Sequence, residues 1–125
     1  MTAVELDHEQ MVRDMCAAAD SGDAERFGSY FADTACYRFA NAEPLHGRES
    51  IVASTAGTVA ALPTLRHRVD QVARIGDQLF CRFTIETTAP DGRELALPCV
   101  TVIELAGRQI VDYRVHMDIS PALAI

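Results

Sequence analysis

At 125 residues the chain has room for one domain, since single cores typically run to about 100–150 residues. Acidic residues outnumber basic ones, 18 to 11, for a net charge of −7; that surface repels phosphate backbones and anionic membranes, which excludes nucleic acid and lipid surfaces as partners. Hydrophobic residues make up 49% at a mean hydropathy of +0.05, enough for a sizeable core, yet no apolar stretch approaches the roughly 20 residues of a membrane span.

The first fourteen residues are acidic and lack the apolar centre of a secretory signal, so a cytoplasmic protein is expected. Thr2 and Glu5 have capping-box spacing. Val4, Met11, Met15 and Ala18 recur at helical spacing, with Val12 and Cys16 widening the stripe, and Gly22 stands where a left-handed C-cap belongs. A short second helix over Ala24 to Phe31 buries Phe27, Tyr30 and Phe31. Ala35 to Ala40 reads as a strand, Asn41 to His46 as a loop, and Arg48 to Leu62 as an alanine-rich third helix stopped by Pro63.

From there the pattern changes to period two. Leu65 to Ile75, Gln78 to Thr88, Glu94 to Leu105 and Ile110 to Asp118 read as four strands, separated by Gly76-Asp77, Pro90-Asp91-Gly92 and Ala106-Gly107. Helices followed by a long meander predict a single α+β domain. Cys16, Cys36, Cys81 and Cys99 show no metal-ligand spacing and sit in apolar runs, where cysteine packs as a small hydrophobe. No phosphate loop, dinucleotide fingerprint, nucleophile elbow or zinc motif occurs, so operation without cofactor or metal is expected.

In Leu97 to Ile103 both faces of the strand are apolar apart from Thr101. One face can pack on the helices, and the other calls for a second subunit. The expectation is a homodimer packed through the outer sheet face, with Cys81, Phe83, Ile85, Cys99, Thr101 and Ile103 at the contact.

Several short motifs in this order resemble the nuclear transport factor 2-like superfamily, in its SnoaL-like branch. They are Ser21-Gly22-Asp23, Tyr30-Phe31-Ala32-Asp33-Thr34-Ala35, Glu43-Pro44-Leu45-His46-Gly47-Arg48, Pro90-Asp91-Gly92-Arg93 and Ile110 to Asp118. The resemblance spans almost the whole chain and implies a cone-shaped, curved sheet wrapped around three helices. Because this fold hosts isomerases, dehydratases, cyclases, epoxide hydrolases and binding modules, function has to come from the site.

By the same resemblance the concave face carries Met15, Tyr37, Phe39, His67, Arg82, Thr84, Val100, Val102, Tyr113, Val115 and Met117. Strand alternation alone agrees for Tyr113, Val115 and Met117, with Asp112, Arg114 and His116 opposite. Ketosteroid isomerases carry a Tyr and two Asp in the cone; the matching positions here are Met15, Phe39 and Val100, which lack every polar group that mechanism needs. Limonene-type epoxide hydrolases use an Asp–Arg–Asp set with Tyr and Asn. The chain keeps Tyr37 and Arg82 but has Phe39, Thr84 and Val115 at the Asn and Asp positions, so no base for water is evident.

SnoaL-like cyclases and scytalone-type dehydratases work on polyketide-like or phenolic rings, and their ingredients survive as Tyr37, His67, Arg82, His116 and Asp118. His67 is the acid/base candidate, because histidine titrates near neutral pH. Tyr37 and Arg82 are candidates to hold a developing oxyanion. Arg82 alternatively forms a structural salt bridge with Glu86 or Asp118, or binds an anionic group of the ligand through its planar fork. Asp118, before Ser120-Pro121, also reads as a turn-former. Three functions follow: a cofactor-free acid/base enzyme on a small apolar or weakly anionic ligand, a non-catalytic binding or dimerisation module in the same cone, or an epoxide hydrolase-like enzyme with a degenerate Asp–Arg–Asp site.

Overall fold

The computed structural model describes residues 3–123, with side chains from Asp7 to Leu123. Element order is α1 (Ala3–Asp20), α2 (Ala24–Gly28), β1 (Phe31–Phe39), β2 (Leu45–His46), α3 (Arg48–Ala61), β3 (Arg66–Ile75), β4 (Gln78–Thr88), β5 (Glu94–Ala106), β6 (Gln109–Met117) and α4 (Ser120–Leu123). The strands form one mixed sheet in the order β2-β1-β6-β5-β4-β3, with β1 parallel to β6 and every other pair antiparallel. Irregularities at Val69/Gln71 and Glu104/Leu105 bend it. The capping box expected at Thr2 and Glu5 lies outside the described residues. No described helix is long and apolar enough to cross a membrane.

The helical stripe works as its spacing demands: Val12, Met15, Cys16 and Ala18 of α1 are buried. The helix stops in a Schellman turn, where the Asp23 N–H reaches the Ala18 carbonyl at 2.9 Å and the Gly22 N–H reaches Ala19 at 3.0 Å. Gly22 has φ +86, which a side chain would resist. Asp23 then caps α2 by accepting from the Arg26 N–H at 3.0 Å. The expected second helix ends early, at Gly28. There α2 meets α3 so closely that a Cβ on Gly28 would overlap the Val52 side chain. The chain is already extended from Phe31, so β1 begins four residues before the predicted strand. Arg48 fixes the start of α3 to β1: its Nε and Nη2 donate to the Phe31 carbonyl at 3.0 and 2.6 Å, and Nη1 lies 3.2 Å from Asp33.

Alternation divides the sheet cleanly. On β4, Leu79, Cys81, Phe83, Ile85 and Thr87 are buried toward the helices, and on β5 so are Cys99, Thr101, Ile103 and Leu105. The six residues expected at a dimer contact are therefore enclosed within their own chain. The outer face carries instead Phe80, Arg82, Thr84, Val100 and Val102. The middle of β5 is apolar on both faces, but its ends set the phase, with Glu94 and Glu104 on the row of Val100 and Val102; on β4 Arg82 likewise shares a row with Gln78, Thr84 and Glu86.

Candidate functional site

Between the concave sheet and α3 lies a cavity of about 490 Å³, within the usual range of small-molecule sites. The first half of α3 is anchored through Ile51 and the Gly28–Val52 contact. Its second half presents Ser54, Thr58 and Leu62 to the cavity, and the exposed Ala42, Ala61 and Leu123 border the mouth. The walls are mostly apolar: Phe27, Phe39, Ile85, Val115, Met117 and Ile119.

One ionisable pair interrupts them. Asp20, in the last turn of α1, lies against His67 at the start of β3. Asp20 Oδ2 accepts from the His67 backbone N–H at 2.8 Å, and Oδ1 lies 2.6 Å from Nδ1. A carboxylate only accepts, so Nδ1 carries the proton of this bond and Nε2 is left free of Asp20. The side chains are 15% and 19% exposed, and His67 packs edge-on against Phe83 at 5.6 Å. A carboxylate at a helix C-terminus opposes the helix dipole, and the two His67 donors offset that cost. The sequence reading singled out His67 and missed Asp20. Its signal was an acid in a last helical turn that contains no basic residue.

At the opposite end Tyr37 and Tyr113 stack with centroids 5.1 Å apart and planes 8° from parallel, backed by Phe31 and Phe27. No hydrogen bond among the described residues involves either hydroxyl. Burial pushes the Tyr37 phenol up to about 12 and raises that of Tyr113 well above its ordinary value, so both stay protonated and can donate. Burial likewise raises the Cys81 thiol to about 12 and also raises those of Cys16 and Cys99, which makes poor nucleophiles of them.

These shifts set an alkaline limit. The fold keeps protons that the unfolded chain releases from the ordinary values of 9.0 for Cys and 10.0 for Tyr. Stability should be undiminished below about pH 9 and fall as pH rises toward 12. Circular dichroism and tyrosinate absorbance should show ionisation and unfolding together; a buried tyrosine ionising near its ordinary value in the intact fold would contradict the burial.

Of the residues expected on the concave face, Tyr37, Phe39, His67, Tyr113, Val115 and Met117 line the cavity. Met15 is fully buried in the core without reaching it. Arg82, Thr84, Val100 and Val102 face outward, because their inward neighbours Cys81, Phe83, Cys99, Thr101 and Ile103 fill the concave row. Arg82 lies in register with Gln71 and Val100, and forms no salt bridge among the described residues, neither with Glu86 nor with Asp118. Asp118 is exposed and accepts from the Ser120 N–H at 2.9 Å; hydrogen bonds from Ser120 hold its carboxyl below the usual range, as in a turn-former. His116 is exposed on the outer row with Arg114. Sequence reasoning assigned Thr101 to the outer face and did not single out Ser54, Thr55 and Thr58, yet all four line the cavity.

The family model for the SnoaL-like domain matches residues 12–113. Among curated proteins none matches the chain. Solved structures share the architecture. A protein of ketosteroid isomerase-like fold from Catenulispora acidiphila, in complex with trimethylamine, superposes with a TM-score of 0.81 at 23% identity, covering 90% of this chain and 88% of its own. A protein described as a SnoaL-like polyketide cyclase from Jannaschia sp. gives 0.82 at 16% identity, covering 100% and 98%. An epoxide hydrolase/cyclase-like enzyme of pyran ring formation in the polyether salinomycin gives 0.79 at 16% identity, covering 94% and 95%.

Proposed function

The chain belongs to the SnoaL-like domain family, and from that premise we propose that it is a cofactor-independent acid/base enzyme of cyclase, dehydratase or isomerase type. Its substrate is a small apolar carbonyl, phenolic or polyketide-like compound. The observation that supports this is the Asp20-held His67 on the wall of an otherwise apolar cavity. In the reaction His67 Nε2 takes a proton from a carbon beside a carbonyl, and the C–H electron pair moves into the enolate. The imidazolium so formed is stabilised by Asp20, and its proton is returned to carbon or to a leaving hydroxyl.

Competing chemistries lack their groups. The chain contains no lysine, so an enzyme-bound imine is unavailable, and the cavity thiol of Cys99 is raised by burial. Asp20 is the only carboxylate on the cavity wall among the described residues and is engaged by His67, which disfavours an epoxide-hydrolase-like water activation. The rival reading is a non-catalytic binding module using the same cavity, as the trimethylamine complex of the Catenulispora protein illustrates for that protein.

Proton abstraction can be read without the natural substrate. In heavy water, the protein should exchange the acidic C–H protons of bound acetylnaphthalene or tetralone at least about 100-fold faster than buffer, as followed by proton NMR. Ligands that bind in the cavity with no accelerated exchange would establish the binding module instead.

A further inference from the structure

α3 changes character halfway along. Up to Val52 it is held firmly: Ile51 is buried, Val52 abuts Gly28, and Arg48 donates to the Phe31 carbonyl. None of residues 53–62 is buried. Ser54, Thr58 and Leu62 line the cavity, while Ala53, Ala56 and Ala60, at the spacing of the opposite helix face, are exposed. Val59 ties this stretch to the helical layer, since a Cβ on Gly22 would lie 3.5 Å from its Cγ1. The chain is fixed again at Thr64, whose hydroxyl accepts from the Thr88 N–H at 3.1 Å and lies 3.3 Å from that of Thr87.

Between these two fixed points the helix is weak from within. Gly57 stands in its interior, where glycine costs about fivefold in helix formation relative to alanine. No positive φ calls for glycine there, and a Cβ on it would meet nothing within 4 Å among the described residues. The Thr55 and Thr58 hydroxyls donate to the Ile51 and Ser54 carbonyls at 2.8 and 3.1 Å, back-bonds that bend a helix. A helix draws most of its stability from a packed face, and this half lays its inner face over a cavity.

We propose that residues 53–62 form a strap over the cavity, which opens about Gly57 to admit a ligand and is held shut by the ligand it covers. Opening gives up few packed contacts, so it belongs to the low-cost motions of the fold. A ligand below the strap supplies the apolar partners that Val59 and Leu62 lack, and touches them only when the strap is closed. Such gating goes beyond the acid/base reading, because a binding module would use it equally.

Hydrogen exchange and thiol labelling of the whole chain test the strap. Amides 57–62 should exchange at least about 100-fold faster than those of Val12 to Ala18, on the buried stripe of α1. Cys99 reports on opening without any ligand, because it is buried yet lines the cavity, whereas Cys16 and Cys81 are buried away from its wall. With methyl methanethiosulfonate, a small uncharged thiol reagent, Cys99 should be labelled at least about tenfold faster than either. Gly57→Ala strengthens the helix and should slow both Cys99 labelling and exchange of amides 57–62 about fivefold. Saturating acetylnaphthalene should slow exchange of the same amides at least about tenfold. Four results would each overturn the strap: amides 57–62 as protected as those of α1, Cys99 labelled no faster than Cys81, Cys99 labelled equally fast in Gly57→Ala, or no added protection with acetylnaphthalene.

Discussion

His67→Gln is expected to lower catalysed proton exchange at least about 100-fold, and Asp20→Asn to do the same while leaving ligand affinity within about twofold. The two variants fail for different reasons. Glutamine keeps size and polarity at position 67 but has no basic nitrogen. Asparagine keeps the shape of Asp20 but can present an amide N–H to His67 Nδ1, which moves the ring proton to Nε2 and removes the lone pair the reaction needs. Asp20 thus acts through His67, as a positioning residue. Its signature is the tautomer: nitrogen-15 spectra of the neutral ring should report Nδ1–H in the wild type and Nε2–H in Asp20→Asn. A fall in kcat with KM nearly unchanged should accompany it. A fully active Asp20→Asn with an unaltered tautomer would remove Asp20 from the mechanism. Unaltered exchange in His67→Gln would remove the mechanism itself.

Why His67 was legible and Asp20 was not is a matter of range. A histidine at the head of a strand is visible as a residue type, whereas its partner stands 47 positions earlier in a different element. Nothing local to Asp20 differs from an ordinary solvated helix residue except its clash with the helix dipole. The hairpin turns and four long strands were legible because period two and Gly/Pro/Asp chemistry are local signals. Their bounds came out nearly as read. The side on which Arg82 falls was also legible, in the polar row Gln78, Arg82, Thr84 and Glu86. The resemblance to enzymes with an inward arginine overrode that row. β5 carried the same signal at its ends, where Glu94 and Glu104 share the row of Val100 and Val102. What the sequence could not supply is depth. Met15 and Tyr37 are both apolar-face residues, yet one is sealed in the core and the other lines the cavity.

Phe31→Ala is the substitution expected to cost most in stability. Phe31 is fully buried, with ring centroids 5.2 Å from Phe27, 5.4 Å from Tyr113 and 6.4 Å from Tyr37. Truncating a buried phenylalanine costs about 3–5 kcal/mol, more where the surroundings cannot collapse into the space. Here they are restrained: the Phe31 carbonyl is fixed by two Arg48 donors, its strand pairs with β6, and the Tyr37–Tyr113 stack stands behind it. The upper half of that range is therefore expected, a large share of the roughly 5–15 kcal/mol that holds a domain together. In thermal unfolding it should lower Tm by about 10–20 °C. Phe31→Leu, which keeps most of the volume, should cost about 1.5 kcal/mol or less. His67→Gln, at the cavity edge, should move Tm far less than Phe31→Ala. If Phe31→Ala cost under about 1 kcal/mol, the aromatic cluster would not be the rigid wall behind the Tyr37–Tyr113 stack.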